Sequence, residues 1–300
     1  MEGYIASMSK HSQIIIIAIL VFSAVHITAI TPHAFQSSIT DAEGYACMGD
    51  DKSRKQTEQS ALSDAKKNAV DKTATYIRSE TKVEDFIVQK DIIEAYQNAT
   101  VKVVQQIEKS WYKDPASGEC CKIRIKAEVI PDEKAMEKAA MAKDVADNPA
   151  APLKVQLWTD KKAYKQGEKI RIYLKGNKPF YARVLYRDAS GHLLQLLPNP
   201  YHNENYFNGG VVYEIPSGND RFDLEVTAPF GREDIVLYAG TSALGDINLK
   251  AQGEVYKVVT RSADVPGLTR GLKIQEKVAG RKDLPSEFSE ETLSVITRRQ

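Results

Sequence analysis

The sequence predicts a small α+β domain followed by an all-β sandwich domain, and three patterns support this division. A helical period of small apolar residues runs between residues 53 and 79. Two stretches that alternate apolar and polar residues come after it. From Leu153 onward, short apolar runs are separated by turn residues roughly every 8–12 positions, with almost no helical periodicity.

Residues 1–34 are predicted to direct export, as a cleaved signal peptide or as a retained signal anchor. Lys10 precedes the apolar run Ile14–Ile30, and small residues follow that run. A basic start, an apolar core and small residues are the pattern that secretion machinery reads. A membrane span needs about 17–25 residues, so residues 14–30 are only just long enough to remain as an inner-membrane anchor. Either outcome places the rest of the chain in the periplasm or outside the cell.

Residues 38–131 are predicted to form the α+β domain, a helix lying on a small antiparallel sheet. Ser38–Met48 reads as a strand, and Ser53 or Asp51 can cap a helix that runs to about Ser79. One face of that helix carries Leu62, Ala65, Ala69, Thr73 and Ile77. A shorter helix is expected around Asp91–Tyr96.

Two alternating strands complete this domain as a hairpin around the turn Asp114–Gly118. In the first strand the residues expected on one face are Val101, Val103, Gln105, Ile107, Lys109 and Trp111. In the second strand they are Ile123, Ile125, Ala127 and Val129. Such alternation indicates one packed face and one solvated face.

Residues 132–152 are predicted to be a linker, with a short helix rich in Ala, Lys and Glu that ends at a Pro/Ala segment. Residues 153–300 are then expected to fold as an immunoglobulin-like β-sandwich with extended C-terminal strands. Its predicted strands are Val155–Trp158, Ile170–Leu174, Tyr181–Tyr186, His192–Leu197, Val211–Ile215, Phe222–Val226, Ile235–Thr241, Arg270–Gln275 and Thr292–Thr297.

The charge balance of the sequence is not that of a nucleic-acid-binding protein. The net charge is +1 and no basic block is present, which argues against nucleic acid as a partner.

An exported protein meets oxidising conditions, so one pair among the three cysteines is expected to form a disulfide. A bond between the neighbours Cys120 and Cys121 would be strained, so Cys47 with either of them is favoured. The alternative is three reduced, partly buried thiols.

Compact catalytic motifs are absent, and no cofactor or metal site is predicted. Beyond the export segment only His192 and His202 remain as histidine bases, and no GxSxG, HExxH or phosphate-binding glycine motif occurs. Loop carboxylates could still form an acid pair, for which Asp188, Glu204 and Asp234 are the candidates. That alternative would make the protein an envelope polymer hydrolase or its regulatory subunit.

The segment Pro198–Gly210 is the candidate binding loop. It is long for a sandwich loop and combines aromatic rings with amides, as recognition loops do. Its candidate contact residues are Tyr201, His202, Asn203, Tyr206 and Phe207. An envelope protein or a glycan would suit them as a partner, whereas the alternative is that these rings only fill the end of the sandwich.

The stretch Trp158–Thr241 resembles bacterial domain-of-unknown-function family 4384. The resemblance is carried by Ala163–Glu168, Pro179–Tyr181, Leu185–Asp188 with Gly191, Leu196–Asn199, and Pro229–Gly231 leading to Ile235. The region after the export segment is similar to the first domain of flagellar assembly protein T and to related envelope lipoproteins. That similarity is carried by Ala42–Ala46, the helix with Ala61, Ala65 and Ala69, and the paired strands after Asn98.

These resemblances imply an envelope location and a sandwich used for recognition, without an assigned activity. The sequence therefore predicts an exported, non-catalytic bacterial binding or scaffolding protein whose ligand is unknown.

Overall fold

The structure of the protein is a computed structural model that describes residues 35–81, 86–140, 147–252, 255–271 and 284–299. The predicted export segment, residues 1–34, lies outside these ranges. Within them, no helix is long and apolar enough to cross a membrane. The described chain is mostly β-strand with few helices.

The first half of the described chain alternates strands with helices. In chain order the elements are β1 (Phe35–Cys47), α1 (Arg54–Glu80), α2 (Phe86–Gln97), β2 (Thr100–Asp114), β3 (Gly118–Ile130) and α3 (Glu133–Ala140). Helix α1 begins at a capping box, in which the Ser53 hydroxyl accepts from the Gln56 N–H and the Gln56 side chain accepts from the Ser53 N–H. The predicted Ser53 cap is therefore confirmed.

Helix α1 packs closely on β1 because both surfaces are built of small residues. Ala61, Ala65 and Ala69 are fully buried on the helix. Facing them on β1 is Gly44, where an added Cβ would lie 2.1 Å from the backbone nitrogen of Ala65. The predicted small-residue face of α1 is thus the surface that contacts the sheet.

Strands β2 and β3 form the predicted hairpin, but β2 contains two irregularities. Its pairing with β3 shifts between Val103 and Gln105 and again between Gln106 and Glu108. Each shift inserts one residue, so Gln105 faces away from the side of Val103, and Ile107 lies in the second bulge. The single face predicted for this strand is therefore wrong in its middle, because two bulges interrupt a strict period of two.

In the second half of the described chain the regular elements are almost all strands. They are β4 (Val155–Thr159), β5 (Ala163–Lys165), β6 (Ile172–Gly176), β7 (Phe180–Arg187), β8 (Leu193–Leu197), β9 (Tyr206–Phe207), β10 (Tyr213–Ile215), β11 (Arg232–Gly240), β12 (Leu249–Gln252), β13 (Val255–Val258) and β14 (Ser286–Arg298). A helix, α4 (Val265–Gly271), precedes β14. The strand predicted over Arg270–Gln275 is wrong at its start, because Arg270 belongs to helix α4. Pro266 stands in the first turn of this helix, where a missing N–H costs no hydrogen bond. The rest of that predicted strand lies outside the described residues.

Two sheets contain these strands. In the large sheet the order is β12-β13-β8-β7-β11-β14-β1-β3-β2, with β5 paired to β14 and β9 paired to β7. In the small sheet the order is β10-β6-β4. A buried apolar core lies between the two sheets. The small sheet contributes Leu157, Ile172 and Ile215 to it, and the large sheet contributes Val184 and Ile235.

Strand β14 makes the large sheet continuous from the first half of the chain to the second. Its start pairs with β1, where Glu290 is opposite Phe35, and its longer part pairs with β11, where Ile296 is opposite Arg232. The predicted linker, residues 132–152, therefore lies between two halves that share one sheet. The domain boundaries themselves stay a prediction.

Two further apolar clusters complete the interior. One joins the inner faces of α1 and α2 to β1 and β3 and includes Ile77, Ile92 and Ile125. The other includes Leu185 and Tyr238 of the large sheet. These two residues belong to the side of β7 and β11 that faces away from the core between the sheets, so both faces of this part of the sheet are packed.

Candidate binding cleft

A cleft of about 290 Å3 opens in the second half, among strands β6, β7, β8 and β11 and the segment 223–229. Its walls are largely apolar and include Ile172, Leu194, Leu196, Leu224, Ile235 and Val255. The volume is just below the roughly 300–1,000 Å3 of small-molecule pockets. The cleft is therefore suited to a side chain or a small group more than to a bulky cofactor.

Glu233 is one of the residues that line this cleft. Glu233 precedes Ile235, Leu237 and Ala239 at two-residue steps on β11, and those three residues belong to the core between the sheets. Alternation along the strand therefore directs Glu233 to the same face, and the residue is only 1% exposed.

Two hydroxyl groups hold this carboxylate. The Tyr186 hydroxyl donates to Oε2 of Glu233, and the Thr297 hydroxyl donates to Oε1 across 2.9 Å. Tyr186 is directly opposite Ile235 in the pairing of β7 with β11, so its ring is on the same face of the sheet. Within the described chain, each carboxylate oxygen thus receives one hydrogen bond and keeps capacity for another.

Among the described residues, the charged side chains that line the cleft are all acidic. Its lining includes Asp188, Asp223, Glu225 and Glu233, and no basic side chain among the described residues lines it. At the rim, Asp223 pairs with Lys169 across 2.7 Å and Asp188 contacts the His192 ring across 3.0 Å. Within the described chain, Glu233 has no such cationic neighbour.

Burial raises the pKa of Glu233, and the negative charge of Asp188 acts in the same direction. The hydrogen bonds from Tyr186 and Thr297 lower the pKa of this carboxyl but do not offset burial. Burial and the bond to Glu233 also raise the pKa of Tyr186, which keeps the phenol protonated as a donor. A cation entering the cleft would stabilise the ionised form of Glu233.

The three carboxylates considered for hydrolysis do not meet. Asp188 lines the cleft, whereas Asp234 accepts from the Ser294 hydroxyl and lies 3.6 Å from Arg187. Since Asp234 directly follows Glu233 on β11, it faces the other side of the sheet. Glu204 is an exposed loop residue.

The candidate aromatic loop divides between the two sides of the large sheet. Phe207 is buried and stacks on Phe180 in the core between the sheets. Tyr206 is exposed and its ring lies 5.0 Å from that of Tyr181, which packs against the cluster on the opposite side of the sheet. Phe207 is thus a residue of the core between the two sheets.

The other loop candidates lie near the segment that follows β10. The exposed ring of Tyr201 stacks on Phe222 with centroids 6.3 Å apart, and His202 Nδ1 lies 2.9 Å from an Asp220 carboxylate oxygen. Asn203 is exposed. None of the five loop candidates lines the cleft around Glu233.

The cysteines lie at one end of the β1–β3 pairing. Cys47 and Cys120 are directly opposite each other and form a disulfide, with Cα atoms 3.9 Å apart. Cys121 is buried on the other face of β3, and burial raises the pKa of its thiol. Among the described residues, no three His, Cys, Asp or Glu side chains are grouped so that they could hold a metal ion.

Sequence reasoning missed both Glu233 and Tyr186, although a signal for them was present. Extending the predicted strand Ile235–Thr241 back by two residues places Glu233 in phase with the inward apolar positions. Tyr186 is likewise in phase with Val184 on β7. A carboxylate at an inward position is uncommon enough to mark a site.

Comparison with known proteins identifies one part of the chain. Residues 163–243 match the family described as "Domain of unknown function (DUF4384)". Searches of curated proteins and of solved structures find no match. Except for Val255, all the described residues that line the cleft lie within the matched segment. The cleft is therefore built almost entirely by the segment that matches this family. The resemblance of the second half of the sequence to family 4384 is confirmed.

Proposed function

We propose that this chain is an exported, non-catalytic binding protein of the bacterial cell envelope and that the cleft over Glu233 is its recognition site. The observation that carries the proposal is a buried carboxylate, without a cationic partner in the described chain, inside an apolar cleft. Burying such a group is costly unless a compensating charge or hydrogen bonds are supplied. A bound partner can supply that charge.

The envelope location draws support from three features. The basic and apolar start of the sequence has the pattern of an export signal. The Cys47–Cys120 disulfide is of the kind that forms in oxidising compartments. The similarity of the first half to flagellar assembly protein T and envelope lipoproteins points the same way. We also infer that the two sheets around the shared core form an immunoglobulin-like sandwich, with the first half as a separate α+β domain.

The non-catalytic part of the proposal is supported by the separation of the reactive groups. Asp188, Glu204 and Asp234 do not form a shared acid pair. His192 and His202 each contact an aspartate, and no serine or cysteine side chain in the described chain is hydrogen-bonded to either ring.

In-cell photo-crosslinking tests the recognition site. A photoreactive amino acid at Thr227, an exposed residue that lines the cleft, should give a discrete adduct in the envelope fraction. The matched control is the same amino acid at Lys162, which is exposed and does not line the cleft. Adducts that are absent, or the same at both positions, would contradict the proposal.

Export is tested separately with alkaline phosphatase fused after Gln300, because this enzyme becomes active only when it reaches an oxidising compartment. Activity in intact cells is expected. Removal of residues 1–34 should abolish it, and activity that survives this removal would contradict export through that segment.

A further inference from the structure

We propose that the group bound in the cleft is the guanidinium of an arginine side chain on a partner protein, with Glu233 as its buried counter-ion. This inference rests on the proposed function, because it takes the cleft as the recognition site. Its first ground is charge complementarity, since four carboxylates and no described basic side chain line the cleft. Three of these carboxylates are at or near the surface, whereas Glu233 is buried at 1% exposure.

The second ground is the hydrogen-bonding capacity that Glu233 retains. Tyr186 donates to one of its oxygens and Thr297 to the other, so the described side chains leave one acceptor site on each oxygen. A guanidinium offers two parallel N–H donors and can occupy both sites at once. An ammonium group is a point charge without this paired geometry.

The third ground is the apolar wall. Leu194, Leu196, Leu224 and Ile235 line the same cleft as Glu233. A charged group that enters such a cleft loses its water, and a guanidinium is more weakly hydrated than an ammonium. The aliphatic stem of arginine can also cover the apolar wall. An arginine side chain therefore matches the cleft in charge, hydrogen bonding and surface.

The phenol of Tyr186 and the hydroxyl of Thr297 act as positioning groups for this ion pair. Because both donate to Glu233, they hold its carboxylate in one orientation before a ligand arrives. Ligand binding then needs less rearrangement, which favours affinity.

The test uses the full chain and three blocked tripeptides, acetyl-Gly-X-Gly-amide, in which X is arginine, lysine or citrulline. Citrulline has nearly the shape of arginine but no charge. Titrations followed by NMR should show arginine peptide binding on the order of millimolar, because one side chain supplies the contact. Affinity for the citrulline peptide should be at least about tenfold lower. Equal affinity for citrulline, or equal affinity for lysine, would overturn the guanidinium assignment.

Two matched substitutions test whether Glu233 is the residue that binds the arginine peptide. Glu233→Gln keeps the shape but removes the charge, and it should weaken binding of the arginine peptide at least about tenfold. Glu204→Gln makes the same change at an exposed loop position outside the cleft and should leave binding unchanged. Similar losses in both variants, or no loss in Glu233→Gln, would contradict the assignment.

A pH series on the unaltered protein keeps the inference testable if Glu233→Gln fails to fold. Burial raises the pKa of Glu233, so arginine peptide binding should weaken as the pH falls through that raised pKa and this carboxyl takes up a proton. Binding that stays constant down to about pH 4 would count against the ion pair.

Failure of this inference and failure of the proposed function give different results. If Thr227 crosslinks a partner but no arginine peptide binds, the cleft is a recognition site for another chemistry. If the crosslink is also absent, the recognition site itself is wrong.

Discussion

The Tyr186 hydroxyl donates its hydrogen bond to the carboxylate of Glu233 from a neighbouring strand, two residues out of direct register. Tyr186 is opposite Ile235, so the contact to Glu233 is diagonal across the β7–β11 pair. Diagonal neighbours on one face of a sheet are within reach of a long aromatic side chain. Both residues line the proposed recognition cleft.

The stability of the protein should depend on pH through Glu233. The pKa of this carboxyl is raised above 4.5 in the folded state, so the folded state holds the proton more tightly than the unfolded state. The resulting stabilisation is present at low pH and is lost as the pH rises through the folded pKa. The melting temperature of Glu233→Gln minus that of the unaltered protein should therefore increase from about pH 4 to about pH 8.

Differential scanning fluorimetry of both proteins across this range measures the effect. Burial also raises the pKa of Glu290, but that group titrates in both proteins and cancels in the difference. A difference that is constant with pH would contradict the assignment to Glu233.

Gly44→Ala should destabilise the contact between β1 and α1. The added Cβ would lie 2.1 Å from the Ala65 nitrogen and 2.3 Å from the Ala61 carbonyl oxygen, both backbone atoms. Overpacking of this kind costs about 1–3 kcal/mol, and the free energy of unfolding from urea titration should fall by that amount. Gly218→Ala is the matched control, because its Cβ would meet nothing within 4 Å. Equal losses would show that the helix does not approach Gly44 so closely.

Replacing Lys178 with Met should strongly destabilise the buried end of β14. Lys178 pairs with Glu287 across 3.0 Å, and their side chains are 14% and 2% exposed. The change leaves a buried charge without its partner, which costs about 3–5 kcal/mol. Lys169→Met breaks an exposed pair with Asp223 and should cost about 0–1 kcal/mol. Chemical denaturation separates the two values, and a loss at Lys178 no larger than at Lys169 would contradict the buried pair.

Reduction of the Cys47–Cys120 disulfide should lower the unfolding free energy by about 2–4 kcal/mol, because the bond closes a long loop with a sequence separation of 73. The reductant should have no such effect on the double variant Cys47→Ala, Cys120→Ala. Cys121→Ala should retain the full effect. Loss of the reductant effect in Cys121→Ala would mean that Cys121 takes part in the pairing.

Phe207→Ala should destabilise the core between the two sheets, whereas Tyr206→Ala should have little effect. Phe207 is 4% exposed and contacts Phe180 and Tyr213, so its truncation should cost about 3–5 kcal/mol. Tyr206 is 53% exposed, and its loss should cost far less. Thermal unfolding distinguishes the variants, and similar melting temperatures would contradict the burial of Phe207.

Local sequence patterns were sufficient to predict most of the helices and strands. The Ser53 cap and the small-residue period predicted α1 because capping and helical spacing act within a few residues. The Asp114–Gly118 turn predicted its hairpin for the same reason. The two bulges in β2 could not be predicted, because they depend on how β2 pairs with β3 and not on β2 alone.

The candidate site was only partly predictable. Asp188, one of the three carboxylates predicted as candidates for an acid pair, lines the cleft, whereas Glu204 and Asp234 lie elsewhere. Glu233 and Thr297 are far apart in the sequence and are brought together by the pairing of β11 with β14. Such long-range pairing leaves no local pattern that would show which two residues meet.

The sequence by itself determined the positions of α1, α2 and α3, most of the strands, the family resemblance of the second half and the three cysteines available for bonding. The tertiary structure decided which of them meet. The register of β1 on β3 places Cys47 opposite Cys120 and directs Cys121 to the other face. The pairing of β14 with both β1 and β11 makes one sheet of two halves that read as separate. Periodicity reflects contacts within a few residues, whereas register and strand order are set by the joint packing of distant segments.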